Sequence, residues 1–260
     1  MKYYIVDAFT DKLFKGNPAG VCILENDLDT QIMQNIAAEN NLSETAFVIK
    51  HEGHYGLRWF TPKVEINLCG HATLGSAFVI SNFVETDVND IRFETNSGTL
   101  FVNKQEELYV LNFPSGKTHQ TEITWQMEQA IGSAILEAYR SIDSKDLLLL
   151  LESEEQVKGV NPDYNKLKLL ADHAVTITAK GDTTDFVSRF FAPNMGVLED
   201  PVTGSAHTRL IPLWAERLNK SKMTAIQLSK RGGILFCENF GDRVKIAGKA
   251  VLYLQGELTI

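Results

Sequence analysis

Cysteine is scarce in this chain: Cys22, Cys69 and Cys237 are three in 260 residues, odd in number and widely spaced. A disulfide framework or a zinc-finger pattern needs closely paired thiols, so neither is expected, and one thiol at most should carry chemistry. Long apolar runs are absent too. The longest aliphatic run, Leu147–Leu151, is far too short to span a bilayer, and the opening MKYYIVDAFTDK lacks the apolar core of a secretory signal. The expected location is therefore cytoplasmic, with no membrane partner. Positive charge never gathers into a patch: the net charge is −8, and the lysines and arginines are scattered, which gives no electrostatic footprint for nucleic acid. The expected partner is a small molecule. What is present is ordinary globular composition, 44% hydrophobic and 22% charged, enough for one large domain or two packed ones.

A repeat divides the chain. Arg58-Trp-Phe-Thr-Pro62 and Arg189-Phe-Phe-Ala-Pro193 share one pattern at an offset of 131, from Arg58 to Arg189. Each is followed by a glycine-rich loop, CGHATLGSA from Cys69 and TGSAHT from Thr203, whose shared Gly-Ser-Ala begins at Gly75 and at Gly204. Upstream, Thr30–Asn41 has Asp29 or Thr30 as N-cap and an apolar stripe at Ile32, Met33, Ile36 and Ala37, so it predicts a helix leading into a strand at Ala46–Lys50. In the second half a helix opening at Pro162 leads into strand-like residues His173–Lys180. Each loop then opens an apolar helix, His71–Val84 and Ser205–Leu218, the latter expected to kink or end near Pro212. Alternation over Ile91–Thr95, Gly98–Val102, Leu108–Phe113, Gly233–Cys237, Val244–Ile246 and Ala250–Leu254 predicts many antiparallel strands. The fold class is α+β in two similar halves. Polar residues from Pro114 to Glu122 place the boundary, giving residues 1–116 and 117–260, with the final strands free to cross back to the first half.

A glycine turn that opens a helix presents free N–H groups and the positive end of the helix dipole, which suits a carboxylate. Gly70, Gly204 and the hydroxyl of Ser205 are the donors such a grip would use; turn-shaping glycines are the plainer alternative. His71 at a helix start is expected to be neutral near pH 7, because the dipole disfavours imidazolium, and to move or donate a proton. Cys69 stands beside it. Asp200 either caps the second helix or serves a substrate, and Glu65 is open in the same way. His51-x-x-His54 has no acid or cysteine at metal spacing, so no metal site is expected there.

One acid breaks the symmetry. Glu44 sits in the turn Asn41-Leu-Ser-Glu-Thr-Ala-Phe47, whereas the matching turn Ala171–Val175 offers His173 or Ala174. Glu44 is either a general base held by Ser43 and Thr45 or an ordinary turn glutamate. The glycine loops lack dinucleotide spacing and no lysine stands in a Schiff-base context, so no cofactor is expected.

Val6-Asp-Ala-Phe-Thr10 with Phe14-Lys-Gly-Asn-Pro18, Asn41-Leu-Ser-Glu-Thr45, the Arg58 motif, Cys69-Gly-His-Ala-Thr-Leu-Gly75, Glu199-Asp-Pro-Val-Thr-Gly-Ser-Ala-His207, Arg231-Gly-Gly233 and Val244-Lys-Ile-Ala-Gly248 together resemble the PhzF-like isomerases of phenazine biosynthesis, in order and over essentially the whole chain. The resemblance implies a diaminopimelate-epimerase-like fold: two halves, each a mostly antiparallel sheet round a central helix, with the site between them, and a homodimer. It implies Glu44 as the proton-transfer acid/base, His71 and Asp200 as catalytic partners, and Ser43, Gly70, Gly204 and Ser205 as substrate-binding groups for a small carboxylate. Asn67-Leu68 departs from the Pro-Phe of the family pattern and leaves the substrate open. Related epimerases and racemases use a cysteine at each central helix start; Cys69 fills the first place, and the second loop offers Pro201 or Val202. The implied activity is thus a cofactor-independent isomerase. The alternatives are an epimerase or racemase with Cys69 as one base, and a non-catalytic binding protein.

Overall fold

Local signals set the first helix. α1 runs Thr30–Asn40; the Asp29 carboxylate accepts the Gln31 N–H at 2.8 Å, and Asn41 closes the helix in the left-handed region at φ 48°, its N–H bonded to the Ala37 carbonyl. Met33, Ile36 and Ala37 face inward, but Ile32 is 37% exposed, so the apolar stripe is narrower than the sequence suggests. The computed structural model describes residues 1–142, 144–171 and 173–260. Asp172, in the turn compared with that of Glu44, lies outside the described residues.

The chain divides into two units, Met1–Asn112 with Ile246–Ile260, and Phe113–Lys245. In the first, β1 (Lys2–Ala8) pairs antiparallel with β2 (Asn17–Leu24), β2 parallel with β3 (Glu44–His51), and β3 antiparallel with β4 (His54–Phe60). β4 then pairs antiparallel with the short β5 (Glu65–Ile66) and parallel with β6 (Asp90–Thr95). β7 (Gly98–Gln105) and β8 (Leu108–Pro114) follow as antiparallel neighbours, and the last strand of the chain, Ala250–Glu257, returns to lie antiparallel to β1.

The second unit repeats this plan. β9 (Thr118–Thr121) flanks β10 (Glu137–Ser141), β10 pairs antiparallel with β11 (Leu147–Leu150), β11 parallel with β12 (Val175–Lys180), and β12 antiparallel with β13 (Phe186–Ala192). β13 pairs antiparallel with the short β14 (Val197–Asp200) and parallel with β15 (Lys222–Gln227), whose antiparallel neighbour is β16 (Gly233–Asn239). The sequence β1 to β7 and the sequence β10 to β16 thus make the same succession of pairings.

Between the short strand and the next long one, each unit inserts a helix. α2 (Gly70–Val79) is apolar on nearly every face, as a helix enclosed by its own sheet must be, and packs against β1, β2 and β3 before a π-helical turn at Ile80–Val84. Among the smaller helices of the second unit are α3 (Trp125–Ile131), α4 (Glu154–Gly159) and α5 (Tyr164–Leu170); Asp163 caps α5, so Pro162 precedes the helix rather than opening it. α6 (Gly204–Leu218) packs on β15 and β16 and continues through Pro212 instead of ending there. Proline deprives the Thr208 carbonyl of its helical partner, and the Gly116 N–H takes that place at 3.1 Å. No helix among the described residues is long and apolar enough to cross a membrane.

Candidate active site

Strand β3 begins at Glu44, immediately after the turn that closes α1, and parallel pairing sets Glu44 beside Ala19 of β2. His71 is the second residue of α2 and is buried. Its Nε2 lies 3.0 Å from Glu44 Oε2, but the approach is not aligned as a hydrogen bond: both atoms are buried and without a hydrogen-bond partner. The Glu44 side chain as a whole keeps 17% exposure. On the other edge of the ring, Nδ1 is 3.2 Å from Asn17 Nδ2 and 3.5 Å from Cys69 Sγ. Glu44, His71, Cys69 and the fully buried Asn17 therefore form one cluster within the first unit.

Charges in the cluster are coupled. Burial disfavours imidazolium at His71, while Cys69, once it is a thiolate, and the Glu44 carboxylate favour it, and the net effect raises the ring well above its ordinary pKa. This corrects the expectation of a depressed value from the helix dipole: a carboxylate at 3.0 Å outweighs partial charges at a helix start. The Cys69 thiol is pushed up by burial and further by the Glu44 carboxylate, so it stays S–H near neutrality. Neither Ser43 nor Thr45 holds Glu44. Thr45 points to the opposite side of the strand, fully buried beside Gly20, and the Ser43 hydroxyl bonds to no described residue.

Glu44, Cys69 and His71 each offer a donor atom within 4.8 Å of the others, so a metal must be considered. The arrangement fits one poorly. Among the described residues only three donors gather, and the Cys69 thiol, raised by burial, keeps its hydrogen near neutrality, whereas a metal ligand is a thiolate.

In the second unit, Asp200 ends β14 and its carboxylate accepts the Thr203 hydroxyl; it does not cap α6. Thr203 is the N-cap, with the Gln227 side chain receiving its N–H at 2.8 Å and donating to the Asp200 carbonyl at 2.7 Å. Gly204 opens the helix, and Ser205 follows with an exposed side chain. Thr203 is thus the counterpart of Cys69, the N-cap of α2, both extended and neither capping through its side chain. The expectation of Pro201 or Val202 at that place is corrected by the helix starts, and the repeated Gly-Ser-Ala does not mark equivalent positions: Gly75 lies inside α2 against Ala19 and Val6, while Gly204 starts α6. Four residues past each N-cap, a side chain returns to the N-cap carbonyl: Thr73 Oγ1 to Cys69, and His207 Nδ1 to Thr203 at 2.8 Å.

Both acids behind the loops are structural. Arg58 grips Glu65 through two bonds of 2.8 Å, and Arg189 grips Glu199 at 2.7 and 3.0 Å, each guanidinium also lying over the phenylalanine two residues on. The paired registers match Phe47 with Arg58 and Ile177 with Arg189, so Ala174 takes the place of Glu44 in the second unit.

The sequence profile of the PhzC-PhzF family, described as phenazine biosynthesis-like protein, matches residues 6–256. The chain belongs to that family. An uncharacterized isomerase of Pseudomonas aeruginosa is 48% identical over 260 residues, covering 100% of this chain and 99% of that protein. A PhzF-family crystal structure from Enterococcus faecalis superposes with a TM-score of 0.97 at 49% identity, covering 100% of this chain and 99% of the other. A probable proline racemase from Agrobacterium radiobacter, at 10% identity, TM-score 0.66 and coverage of 100% and 93%, shares the fold alone. The fold is accordingly α+β of the diaminopimelate-epimerase-like kind, and the chain is a PhzF-like isomerase.

Proposed function

We propose that this PhzF-like protein shifts a proton on a small carboxylate-bearing substrate without a cofactor, Glu44 being the acid/base and His71 the group that shares its proton. The observation that carries the reading is the 3.0 Å approach of Glu44 Oε2 to His71 Nε2, with neither atom engaged in a hydrogen bond. A carboxylate and an imidazole in that relation exchange a proton over a short path, and the partly exposed Glu44 side chain can meet a carbon-bound hydrogen. Loose catalytic contacts of this kind tighten when substrate binds. The free N–H groups at the start of α2 and the dipole behind them favour a substrate carboxylate. At the start of α6, Gly204 and Ser205 offer the same kind of grip, and Asp200 follows the family pattern as a group that positions substrate or relays a proton.

A one-sided shift, in which Glu44 removes a proton and returns it at another carbon, is favoured over a two-thiol epimerase by two features. Cys69 is a buried thiol whose pKa is raised by burial and by Glu44, so it stays protonated near neutrality and its thiolate is scarce as a base. Its counterpart at the second helix start is the hydroxyl of Thr203. The test is incubation of a panel of small carboxylates with the protein in D2O, read by NMR. Uptake of deuterium at specific carbons of one class supports the proposal; a carboxylate that raises the melting temperature but takes up no deuterium argues for a binding protein instead.

A further inference from the structure

We infer that Asn17 is a positioning residue that sets the tautomer of His71, keeping the ring proton on Nε2, where it faces Glu44; the inference deepens the proposed roles of Glu44 and His71 and rests on them for its catalytic meaning. A side-chain amide nitrogen only donates, so a ring nitrogen 3.2 Å from Asn17 Nδ2 must present a lone pair. Neutral imidazole carries one N–H, and with Nδ1 accepting, that hydrogen is on Nε2. The second neighbour of Nδ1 agrees: Cys69 Sγ, 3.5 Å away, belongs to a thiol that keeps its hydrogen and can act as a weak donor. Two donors thus converge on Nδ1 and one carboxylate on Nε2. Protonation of Nδ1 would turn both donors against it, so Asn17 opposes the imidazolium that Glu44 favours, the carboxylate 3.0 Å from Nε2 being the stronger influence.

The backbone goes to some length to deliver this amide. Between β1 and β2 the chain turns through left-handed Phe9 (φ 63°), Phe14 (φ 68°) and Gly16 (φ 65°). Bulky residues in that region are strained and persist where the surroundings over-determine them. Asp7 accepts the Phe14 N–H at 2.8 Å, and a Cβ on Gly16 would come within 2.1 Å of the Ala8 carbonyl oxygen, so the turn admits no side chain there. The outcome is Asn17 at the first position of β2, fully buried against the ring. Among the described residues of the second unit nothing similar stands, the register putting Ser144 in the place of Asn17 while Ser205 takes that of His71.

The experiment is a long-range 1H–15N correlation spectrum of the uniformly labelled full-length protein at alkaline pH, where the ring is neutral, with the His71 signals identified by their loss in His71→Gln. The expected wild-type pattern is a lone-pair-type Nδ1 and a protonated Nε2. Asn17→Asp, which presents an acceptor, should move the proton to Nδ1, and Asn17→Leu should give a mixture. A wild-type ring protonated on Nδ1 overturns the inference, as does an unchanged Nε2–H tautomer in both folded variants. The wild-type spectrum decides even where a variant does not fold. Because no turnover is measured, a fully active Glu44→Gln enzyme, which would refute the catalytic reading, is a separate result.

Discussion

Burial works against a charge on His71 while the carboxylate 3.0 Å from Nε2 works for one, and at the second residue of α2 the charge is favoured on balance. His207 is the opposite case. Fully buried, with Nδ1 donating to the Thr203 carbonyl, it is pushed down to about 4 by desolvation. An unfolded histidine takes its proton near 6.5, so between about pH 6.5 and pH 4 the unfolded chain binds a proton that the folded one refuses, and stability falls as pH falls, by up to roughly 3 kcal/mol. Urea titrations across that range should show the slope in the wild type and lose it in His207→Thr, which copies the Thr73 arrangement; equal slopes would contradict the assignment. Cys69→Ser should retain activity, since a hydroxyl can also donate to Nδ1, whereas a thiol base would make the same change cost about 10² to 10⁴ in rate. At this scale Glu44 was legible as an acid present in one half only. Asn17 was not, because its partner lies 54 residues away and only the pairing of β2 with β3 and the packing of α2 bring them together.

Elements repeat more faithfully than residues. The two arginine–glutamate pairs tie β4 to β5 and β13 to β14, which fixes the start of the loop that leads into each central helix. Arg189 also donates to the Val157 and Val160 carbonyls at the end of α4, at 3.2 and 2.6 Å, and is the less exposed of the two arginines. Losing one partner of a buried pair typically costs about 3 kcal/mol. Arg189→Met should therefore lower the melting temperature clearly more than Arg58→Met; the reverse order would mean that the extra carbonyl contacts carry no stability. Strand and helix positions were readable from alternation and caps, since those signals are local. The depth of each glycine in its helix was not. Where Gly75 packs against Ala19, the corresponding position of α6 is Arg209, which pairs with Asp146, so a shared tripeptide misled while the N-caps, Cys69 and Thr203, give the true correspondence.

As a whole, the molecule uses one plan twice and lets one copy diverge. Both units keep the succession of strand pairings, the arginine-held loop and the helix that opens on glycine. Among the described residues, only the first has a carboxylate at the start of its third strand, an imidazole at the head of its central helix and an amide beside that ring. The duplication was visible in the sequence because the motifs survive in order, and so was the acid present in one copy; which residue replaces Glu44 in the other, His173 or Ala174, needed the strand register, which gives Ala174. The most direct test of the central claim is the rate of deuterium exchange into a carboxylate turned over by the wild type, compared with Glu44→Gln at matched melting temperature. The account predicts a loss of about 10² to 10⁴. Exchange by Glu44→Gln at the wild-type rate would contradict it.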